Sequence, residues 1–285
     1  MIKNIRSPLV YYPKTVNEML SLYKSMPDSL LYAGGTGILA SKNTKYPELP
    51  GNIIYLRRIE ELSAIRRSEG YLEIGACAKL NRILGIGEHV LKPALYAAIR
   101  NIGTKEVRNI ATIGGNICSP YRTKTLIPLL SLLETRLELR KQGSSRWINV
   151  RKFVSPEEGL HEGEVLTRLR IPFNNFNHQS YIITGDLKSD YRGALTFACL
   201  ASVQKENLSA IKFAAGIGDN GIFRAREFEE ALSGRKLPLY AITEDPVFAR
   251  LTSALKNQSD EVSSFHSRQI EGLFLTFMHS LNDML

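Results

Sequence analysis

Two short glycine-rich segments constrain this chain more than any other feature. The first has the sequence AGGTG at residues 33–37 and follows the apolar run LLY at residues 30–32; the second has the sequence NIATIGGN at residues 109–116. Because glycine has no Cβ, the backbone of each segment can adopt unusual φ and ψ values and can approach another group closely. Successive N–H groups in such turns form a concavity that binds anions. Two turns of this kind can hold a diphosphate from two sides.

The composition indicates an ordinary globular protein. The chain has 285 residues, of which 44% are hydrophobic and 23% are charged, and this length suggests about two domains of roughly 150 residues. No apolar run approaches the ~18 residues of a membrane-spanning helix. Residues 1–8 also lack the apolar stretch and the cleavage site of a signal peptide. We therefore expect a cytoplasmic protein without a membrane span.

The basic charge leaves one alternative class open. A net charge of +9 and a pI near 9.4 are compatible with a nucleic-acid-binding module, which would bind DNA or RNA in a salt-sensitive way. The arginines and lysines are scattered along the chain, however, and no recognition helix or aromatic stacking motif accompanies them. We expect no nucleic-acid partner, and we favour a docking face for an acidic partner subunit or a basicity without function.

The cysteines and histidines point to neither a metal site nor a catalytic site. Cys77, Cys118 and Cys199 are far apart and odd in number, so they form no disulfide framework and no zinc or iron–sulfur spacing. Buried thiols are expected at Cys77 and Cys199, because cysteine is among the most buried residue types. Cys118 follows the second glycine turn, and packing is favoured there over contact with a ligand. No catalytic residue and no metal ligand is predicted.

The pattern of apolar residues predicts a mixed α+β chain. Thr15 and Glu18 form a capping-box pattern, which predicts a helix that ends near residues 26–28. Strands are predicted at residues 30–33, 52–56, 71–76, 165–171, 195–203 and 211–217, with a hairpin at 136–140 and 146–150 that turns at Gly-Ser-Ser and a second turn at Glu206-Asn207. Helices are predicted at residues 80–86, 92–99, 126–133, 224–233, 246–255 and 262–281, and residues 172–179 are interpreted as a linker.

Further motifs extend the pattern over most of the chain. They are EEL at residues 60–62, YLEIGA at 71–76, VRN at 107–109 before TIGGN at 112–116, GEVL at 163–166, RARE at 224–227 and LSGR at 232–235. In this order the motifs resemble those of the FAD-binding (medium) subunit of molybdopterin-dependent dehydrogenases, such as xanthine dehydrogenase, aerobic carbon monoxide dehydrogenase and nicotinate dehydrogenase. The dinucleotide-binding pattern G-x-G-x-x-G is absent, so a Rossmann domain is not predicted.

The resemblance implies a fold and a domain organisation. It implies an α+β protein in which residues 1–172 form an FAD-binding domain of the vanillyl-alcohol-oxidase (PCMH) type. This domain is expected to contain two subdomains with a boundary near residues 55–60. A smaller α+β C-terminal domain with an antiparallel sheet and helices is expected at residues 178–285.

The resemblance also implies a function. The chain is expected to be the FAD-carrying electron-transfer subunit of a molybdenum hydroxylase similar to xanthine dehydrogenase. Electrons are expected to come from iron–sulfur centres and to pass to NAD or another acceptor. Since this chain has no cysteine clusters, the 2Fe–2S small subunit and the molybdopterin-binding large subunit are expected to be separate chains of a hetero-oligomer.

The resemblance implies FAD as the cofactor and a set of residues that hold it. The two glycine turns are expected to donate N–H groups to the diphosphate, and Leu166 stands where the family places an aliphatic residue against the flavin ring, with ordinary strand core as the alternative. Arg122 and Lys124 either offset the phosphate charge or are solvated loop cations. The predicted cofactor-binding residues are Tyr32, Ala33, Gly34, Gly35, Thr36, Gly37, Ile38, Gly103, Thr112, Ile113, Gly114, Gly115, Asn116, Thr125 and Leu166.

Three departures from the family pattern define an alternative. The family usually has aspartate at the positions of Gly37 and Thr125, and the second of these acids is expected to hold the ribityl hydroxyls. A lysine that is frequent early in the C-terminal domain has no clear counterpart near residues 181–184. Lost charge-assisted hydrogen bonds, each worth roughly 1.5–3 kcal/mol, weaken binding. The alternative is therefore a non-catalytic scaffold subunit of the same complex that has lost FAD.

The second glycine turn is open to a direct test. We predict that Gly115→Val abolishes flavin retention, because a branched side chain would fill the space that a ligand needs. The far-ultraviolet circular dichroism should stay near that of the parent chain. Flavin content after purification is the measurement, and equal content in the variant and the parent would contradict the assignment.

Overall fold

The computed structural model describes residues 7–39, 49–119, 125–155, 157–185, 194–218, 221–258 and 262–284. The chain divides into two compact units. Unit 1 comprises Met1–Ile86, Ile102–Tyr121 and Glu134–Phe173, and unit 2 comprises Gly87–Asn101, Arg122–Leu133 and Asn174–Leu285. The predicted domains 1–172 and 178–285 are continuous, whereas these units exchange segments along the chain, and the domain limits remain a prediction.

Strands and helices alternate irregularly along the described residues. The strands are β1 Leu9–Tyr11, β2 Leu30–Tyr32, β3 Asn52–Tyr55, β4 Ile65–Arg67, β5 Tyr71–Gly75, β6 Arg136–Lys141, β7 Ser144–Asn149, β8 Val165–Pro172, β9 His178–Thr184, β10 Leu195–Gln204, β11 Asn207–Ile217 and β12 Ile222–Phe223. The helices are α1 Val16–Ser25, α2 Thr36–Leu39, α3 Glu60–Ser63, α4 Leu80–Leu84, α5 Pro93–Arg100, α6 Lys105–Arg108, α7 Ile113–Ile117, α8 Ile127–Leu132, α9 Val150–Phe153, α10 Arg226–Leu232, α11 Phe248–Asn257 and α12 Ser264–Asn282, with a 3₁₀ turn at Leu56–Arg58.

Unit 1 contains two sheets. The first has three parallel strands in the order β1-β3-β2, and the second has five antiparallel strands in the order β4-β5-β8-β6-β7. In β8 the alternation predicted for residues 165–171 is confirmed from Thr167 to Ile171, where Thr167, Leu169 and Ile171 are buried and the arginines between them are half-buried. It is wrong at the start of the strand, because Val165, Leu166 and Thr167 are all buried. The first sheet and α1 share an apolar core in which Met19, Ile54 and Leu62 are buried.

Unit 2 is built around one antiparallel sheet and a cluster of aromatic rings. The strand order is β12-β11-β10-β9, and the predicted pairing of residues 195–203 with 211–217 is confirmed. Phe274 of α12 contacts Phe213 of β11 and Phe228 of α10, at ring-centroid distances of 5.2 and 5.0 Å. These fully buried rings join two helices to the sheet, because aromatic side chains bury a large apolar area each.

The helices begin and end where local sequence signals are strong. The Thr15 hydroxyl accepts a hydrogen bond from the Glu18 N–H at 3.1 Å, and the Glu18 carboxylate accepts one from the Lys14 N–H at 2.7 Å, which confirms the predicted cap of α1. The Ser263 hydroxyl caps α12 by accepting from the His266 N–H at 3.3 Å. No helix among the described residues combines the length and the apolarity that crossing a bilayer requires.

Two predicted turns are shifted by one or two residues. The hairpin of β6 and β7 turns at Gln142-Gly143, where Gly143 has a φ of +84°, so Ser144 and Ser145 belong to β7. The hairpin of β10 and β11 turns at Lys205 and Glu206, both with positive φ. Two-residue hairpin loops favour positive φ because it matches the twist of the flanking strands. Glycine marks only the first of these turns, and the second was predicted one residue too late.

The prediction that residues 172–179 form a linker is wrong at its end. His178 and Gln179 are in β9, where they pair with Ala201 and Leu200 of β10. Neither β9 nor the three-residue strand β1 is predicted from periodicity. β1 pairs with β3 in parallel, more than 40 residues later, and such remote pairing leaves no local signal.

A buried ion pair explains part of the motif RARE at residues 224–227. Glu229 is 4% exposed, and its carboxylate accepts hydrogen bonds from Arg224 Nη2 at 2.7 Å and from the Phe213 N–H at 3.0 Å. Arg224 Nε donates to both carboxylate oxygens, at 2.9 and 3.1 Å. The pair therefore ties the start of α10 to β11.

Removal of this carboxylate should destabilise the protein. Glu229→Ala leaves a largely buried guanidinium and a buried N–H group without their acceptor, so the free energy of unfolding should fall by about 3–5 kcal/mol. Glu230→Ala, at the exposed neighbouring position of the same helix, is the control and should change it by less than about 0.5 kcal/mol. Urea unfolding monitored by circular dichroism measures both, and similar losses would contradict the role of the pair.

Candidate functional site

The two glycine turns are in direct contact within unit 1. A Cβ on Gly34 would overlap the carbonyl oxygen of Ile110 and would lie 3.1 Å from Cα of Ala111. A Cβ on Gly37 would lie 3.3 Å from Ser119 Oγ. The first contact is possible only because position 34 has no side chain. The two segments predicted to share a ligand therefore lie side by side.

The first turn exposes backbone N–H groups at the start of a short helix. β2 ends at Tyr32, Gly35 takes a φ of +70°, and α2 begins at Thr36. The N–H of Leu39 donates to the carbonyl of Gly35 at 3.2 Å. The N–H groups of Thr36, Gly37 and Ile38 come before it. As at any helix start, the helix itself contains no carbonyl four residues earlier that could accept a hydrogen bond from them. N–H groups at a helix start are a kind of donor that can bind an anion.

The second turn uses its N–H groups inside the protein. Thr112 caps α7, because its hydroxyl accepts a hydrogen bond from the Gly115 N–H at 3.1 Å. The Gly114 N–H donates to the Ala76 carbonyl at 2.8 Å, and the Ile113 N–H donates to the Ala78 carbonyl at 3.1 Å. The expectation that Gly114 and Gly115 offer their N–H groups to a diphosphate therefore differs from the structure. The other predicted roles in this turn, including those of the Thr112 and Asn116 side chains, remain predictions.

A run of small residues carries the second turn. A Cβ on Gly75 would overlap the Leu62 carbonyl oxygen, and a Cβ on Gly114 would lie 2.7 Å from both the Cβ and the carbonyl oxygen of Ala76. The Leu80 N–H adds a hydrogen bond to the Ala111 carbonyl at 3.0 Å. The motif YLEIGA at residues 71–76 thus places small residues where two backbones meet. Gly115, by contrast, is exposed, and its Cβ would meet the Thr112 hydroxyl at 2.9 Å.

A column of aromatic rings stands behind the first turn. The Tyr32 ring covers Gly35, so that a Cβ there would overlap the Tyr32 hydroxyl. Tyr32 is stacked on Tyr55 with ring centroids 6.0 Å apart, and Tyr55 meets Tyr12 edge-on at 5.5 Å. The Arg58 guanidinium lies 4.4 Å from the centroid of Tyr12. Tyr32 is one of the predicted cofactor-binding residues. Sequence patterns did not predict the other members of the column.

The start of β8 is held by a carboxylate. Glu164 is 6% exposed and accepts hydrogen bonds from Arg146 Nε and Nη2, both at 2.7 Å, and from the His161 N–H at 2.9 Å. The hydrogen bond from Arg146 is the largest cause that holds the pKa of Glu164 below its ordinary value. The bonded pair fixes the backbone two residues before Leu166, which is buried at 5% exposure.

The remaining predicted residues fall in several places. Ala33 and Ile38 are half-buried beside the first turn. Gly103 has a φ of +55° and precedes α6, with its carbonyl accepting from Arg108 Nη1 at 2.6 Å, so local conformation already requires glycine there.

Thr125 belongs to unit 2, where its carbonyl accepts from the Tyr181 hydroxyl at 2.7 Å. Arg122 and Lys124 lie outside the described residues.

One residue of the site was missed by the sequence patterns. Ser119 Oγ is buried, and in the described structure it has no hydrogen-bond partner. It faces the space left by the missing side chain of Gly37. A buried polar atom without a partner costs free energy, so this hydroxyl is suited to a polar ligand group next to Gly37. The residues present therefore fit a phosphorylated, hydroxyl-rich cofactor.

The expected burial of two cysteines is confirmed. Cys77 and Cys199 are buried, and burial raises the pKa of Cys77 to about 12. Cys118, at the end of α7, is exposed as a residue, but burial of its thiol raises the pKa of that group to about 12 as well. A thiol in such surroundings agrees with packing, which was favoured over contact with a ligand. The described residues contain no group of three or more His, Cys, Asp or Glu that could hold a metal ion.

Comparison with known proteins gives a consistent result. The family model described as "FAD binding domain in molybdopterin dehydrogenase" matches residues 3–174. The nicotinate dehydrogenase FAD-subunit of Eubacterium barkeri is 28% identical over 172 residues, which are 56% of this chain and 57% of that protein. The glyceraldehyde dehydrogenase medium chain of Sulfolobus acidocaldarius is 25% identical over 264 residues, which are 90% of this chain and 92% of that protein.

A solved structure shows the same fold. A chain of the carbon monoxide dehydrogenase from Hydrogenophaga pseudoflava has a TM-score of 0.71 and 25% sequence identity, with 88% of this chain and 86% of that chain covered. With the mixed helices and antiparallel sheets described above, this similarity confirms the predicted α+β fold.

The contact between the two turns makes a prediction about stability. Gly34→Ala places a Cβ against the Ile110 carbonyl and forces the turns apart, so the free energy of unfolding should fall by about 1–3 kcal/mol. Gly70→Ala is the matched control, because nothing lies within 4 Å of its Cβ, and it should be neutral or slightly stabilising. Urea unfolding of both variants measures the difference. Equal stabilities would show that the turns do not touch.

Proposed function

We infer the function from one premise: the chain belongs to the family of FAD-binding domains in molybdopterin dehydrogenases. This membership confirms the predicted family and FAD as the predicted cofactor, and it makes the chain part of an oxidoreductase. The finer role below is a proposal.

We propose that the chain is the electron-transfer subunit of a molybdenum hydroxylase similar to xanthine dehydrogenase. It takes electrons from iron–sulfur centres on a 2Fe–2S small subunit, which receives them from a molybdopterin-binding large subunit, and passes them to NAD or another acceptor. The names of the two relatives support this role, since one is an FAD-subunit and the other a medium chain. Both names describe one chain among several.

The observation that carries the proposal is the contact between the two turns, next to the N–H groups at the start of α2. The N–H groups at the start of α2 are proposed to bind the diphosphate, because helix starts attract negative charge. The second turn is proposed to form the opposite wall, held rigid by its hydrogen bonds to Ala76 and Ala78. Bound FAD supplies the group that accepts and donates electrons, while the surrounding protein tunes its electronics.

Ser119 supports cofactor retention in spite of the missing carboxylate at position 37. Its buried hydroxyl has no partner in the described part of the chain and faces Gly37. Proteins of the family usually have a carboxylate at the position of Gly37. In this chain the space that such a side chain would fill is bordered by the neutral hydroxyl of Ser119. A neutral donor avoids placing a further negative charge next to phosphate.

The proposal is tested with the purified full chain. We expect yellow protein with one FAD per chain, and tighter binding of FAD than of FMN, because FMN lacks the diphosphate that the turns are proposed to hold. Flavin absorbance after denaturation gives the stoichiometry, and quenching of flavin fluorescence gives both dissociation constants. Colourless protein that ignores added FAD would overturn the proposal and would support the scaffold subunit instead.

A further inference from the structure

Strand β8 contains a β-bulge at Thr167. Glu138 of β6 pairs with Arg168 of β8, but the next residue of β6, Leu139, pairs with Leu166. Thr167 therefore lies between two paired residues and has no partner of its own in β6. Bulges of this kind occur often beside functional sites, where they change the direction of side chains.

The bulge changes the face of the sheet on which Leu166 lies. Leu137 and Leu139 are two residues apart in β6, so they share one face, and both are fully buried. Their partners in β8 are Leu169 and Leu166, which are three residues apart. In a regular strand Leu166 would lie on the opposite face with Arg168. The bulge thus places Leu166 with the apolar residues.

A buried carboxylate holds the bulge in place. The Thr167 hydroxyl lies 2.7 Å from Glu138 Oε2, to which it donates, and 3.3 Å from the Glu138 carbonyl oxygen. Arg168 donates to the same carboxylate from Nε at 2.6 Å and from Nη2 at 3.3 Å. Thr167 and Glu138 are 2% and 6% exposed. Hydrogen bonds to an ionised group are the stronger class, so this cluster defines the backbone of β8 at the bulge.

The carbonyl of the bulged residue is connected to the second glycine turn. The Ala76 N–H donates to the Thr167 carbonyl at 2.9 Å, and the Gly114 N–H donates to the Ala76 carbonyl at 2.8 Å. Two successive backbone hydrogen bonds thus join the bulge to the first turn of α7. A shift of Thr167 is transmitted to Gly114, because Gly114 and Ala76 are packed without free space.

We propose that Thr167 and Glu138 are positioning residues of the FAD site. Their hydrogen bonds hold one bulge in place. That bulge determines on which face of the sheet Leu166 lies, and through Ala76 it determines the position of the second glycine turn. Neither side chain is assigned to contact the cofactor. The inference rests on the proposed function, since it concerns the residues that hold FAD.

Three threonine variants of the full chain test the inference. Thr167→Val keeps the branched shape and removes the hydroxyl, so the dissociation constant for FAD should rise about three- to tenfold, and the visible circular dichroism of bound flavin should change. Thr167→Ser restores the hydroxyl and should restore both values. Thr135→Val is the control, because Thr135 is fully buried and its hydroxyl has no hydrogen-bond partner among the described residues; it should leave both values unchanged.

A fourth variant and the parent chain complete the design. Glu138→Gln retains an acceptor but loses the charge that Arg168 holds, and it should weaken FAD binding in the same direction. If the parent chain binds FAD and Thr167→Val binds it with the same dissociation constant, this inference alone is overturned. Loss of binding in Thr167→Val that Thr167→Ser does not restore also overturns it. Parent chain that binds no FAD overturns the inference and the proposed function together.

Discussion

Close approach of one backbone to another is the constraint on which the rest of this structure depends. Several glycines of unit 1 allow contacts that no other residue would permit, among them those of Gly34 on Ile110, Gly75 on Leu62 and Gly114 on Ala76. The first joins the two turns, the second packs β5 against α3, and the third mounts the second turn on the residue that follows β5. Because interiors are close-packed and cannot absorb an extra methyl group without displacement, the geometry of the turns follows from these contacts.

The two turns have similar sequences but different electrostatic tasks. The first presents N–H groups at the start of α2, and the second consumes its own in the cap at Thr112 and in hydrogen bonds to Ala76 and Ala78. In the proposed site the first turn therefore provides the donors, and the second provides a rigid wall. A preorganised wall costs little entropy when a ligand binds. The bulge at Thr167 has a proposed part in the same site, because the Ala76 N–H that donates to its carbonyl belongs to the residue on which Gly114 packs.

Local signals predicted many elements, and their failures have physical causes. The cap at Thr15, the alternation of β8 from Thr167 to Ile171 and the helices of unit 2 all follow from patterns within a few residues. The turn at Lys205 and Glu206 has positive φ without glycine, and β1 and β9 depend on strands elsewhere in the chain. Among the site residues, the glycines were found because only their type permits the contacts. Ser119 was missed because a serine is ordinary until its burial and its lack of a partner are visible.

The amino-acid sequence by itself determined the family, the α+β class and the cofactor, because glycine turns and ordered motifs are properties of residue type and spacing. Tertiary structure alone decided that Gly34 touches Ile110, that the N–H groups of the second turn are already bonded, and that Glu138 pins a bulge beside Leu166. Each of these facts joins residues that are far apart in the chain. Hydrogen-bond partners and packing across such separations are set by the folded backbone, and no local pattern records them.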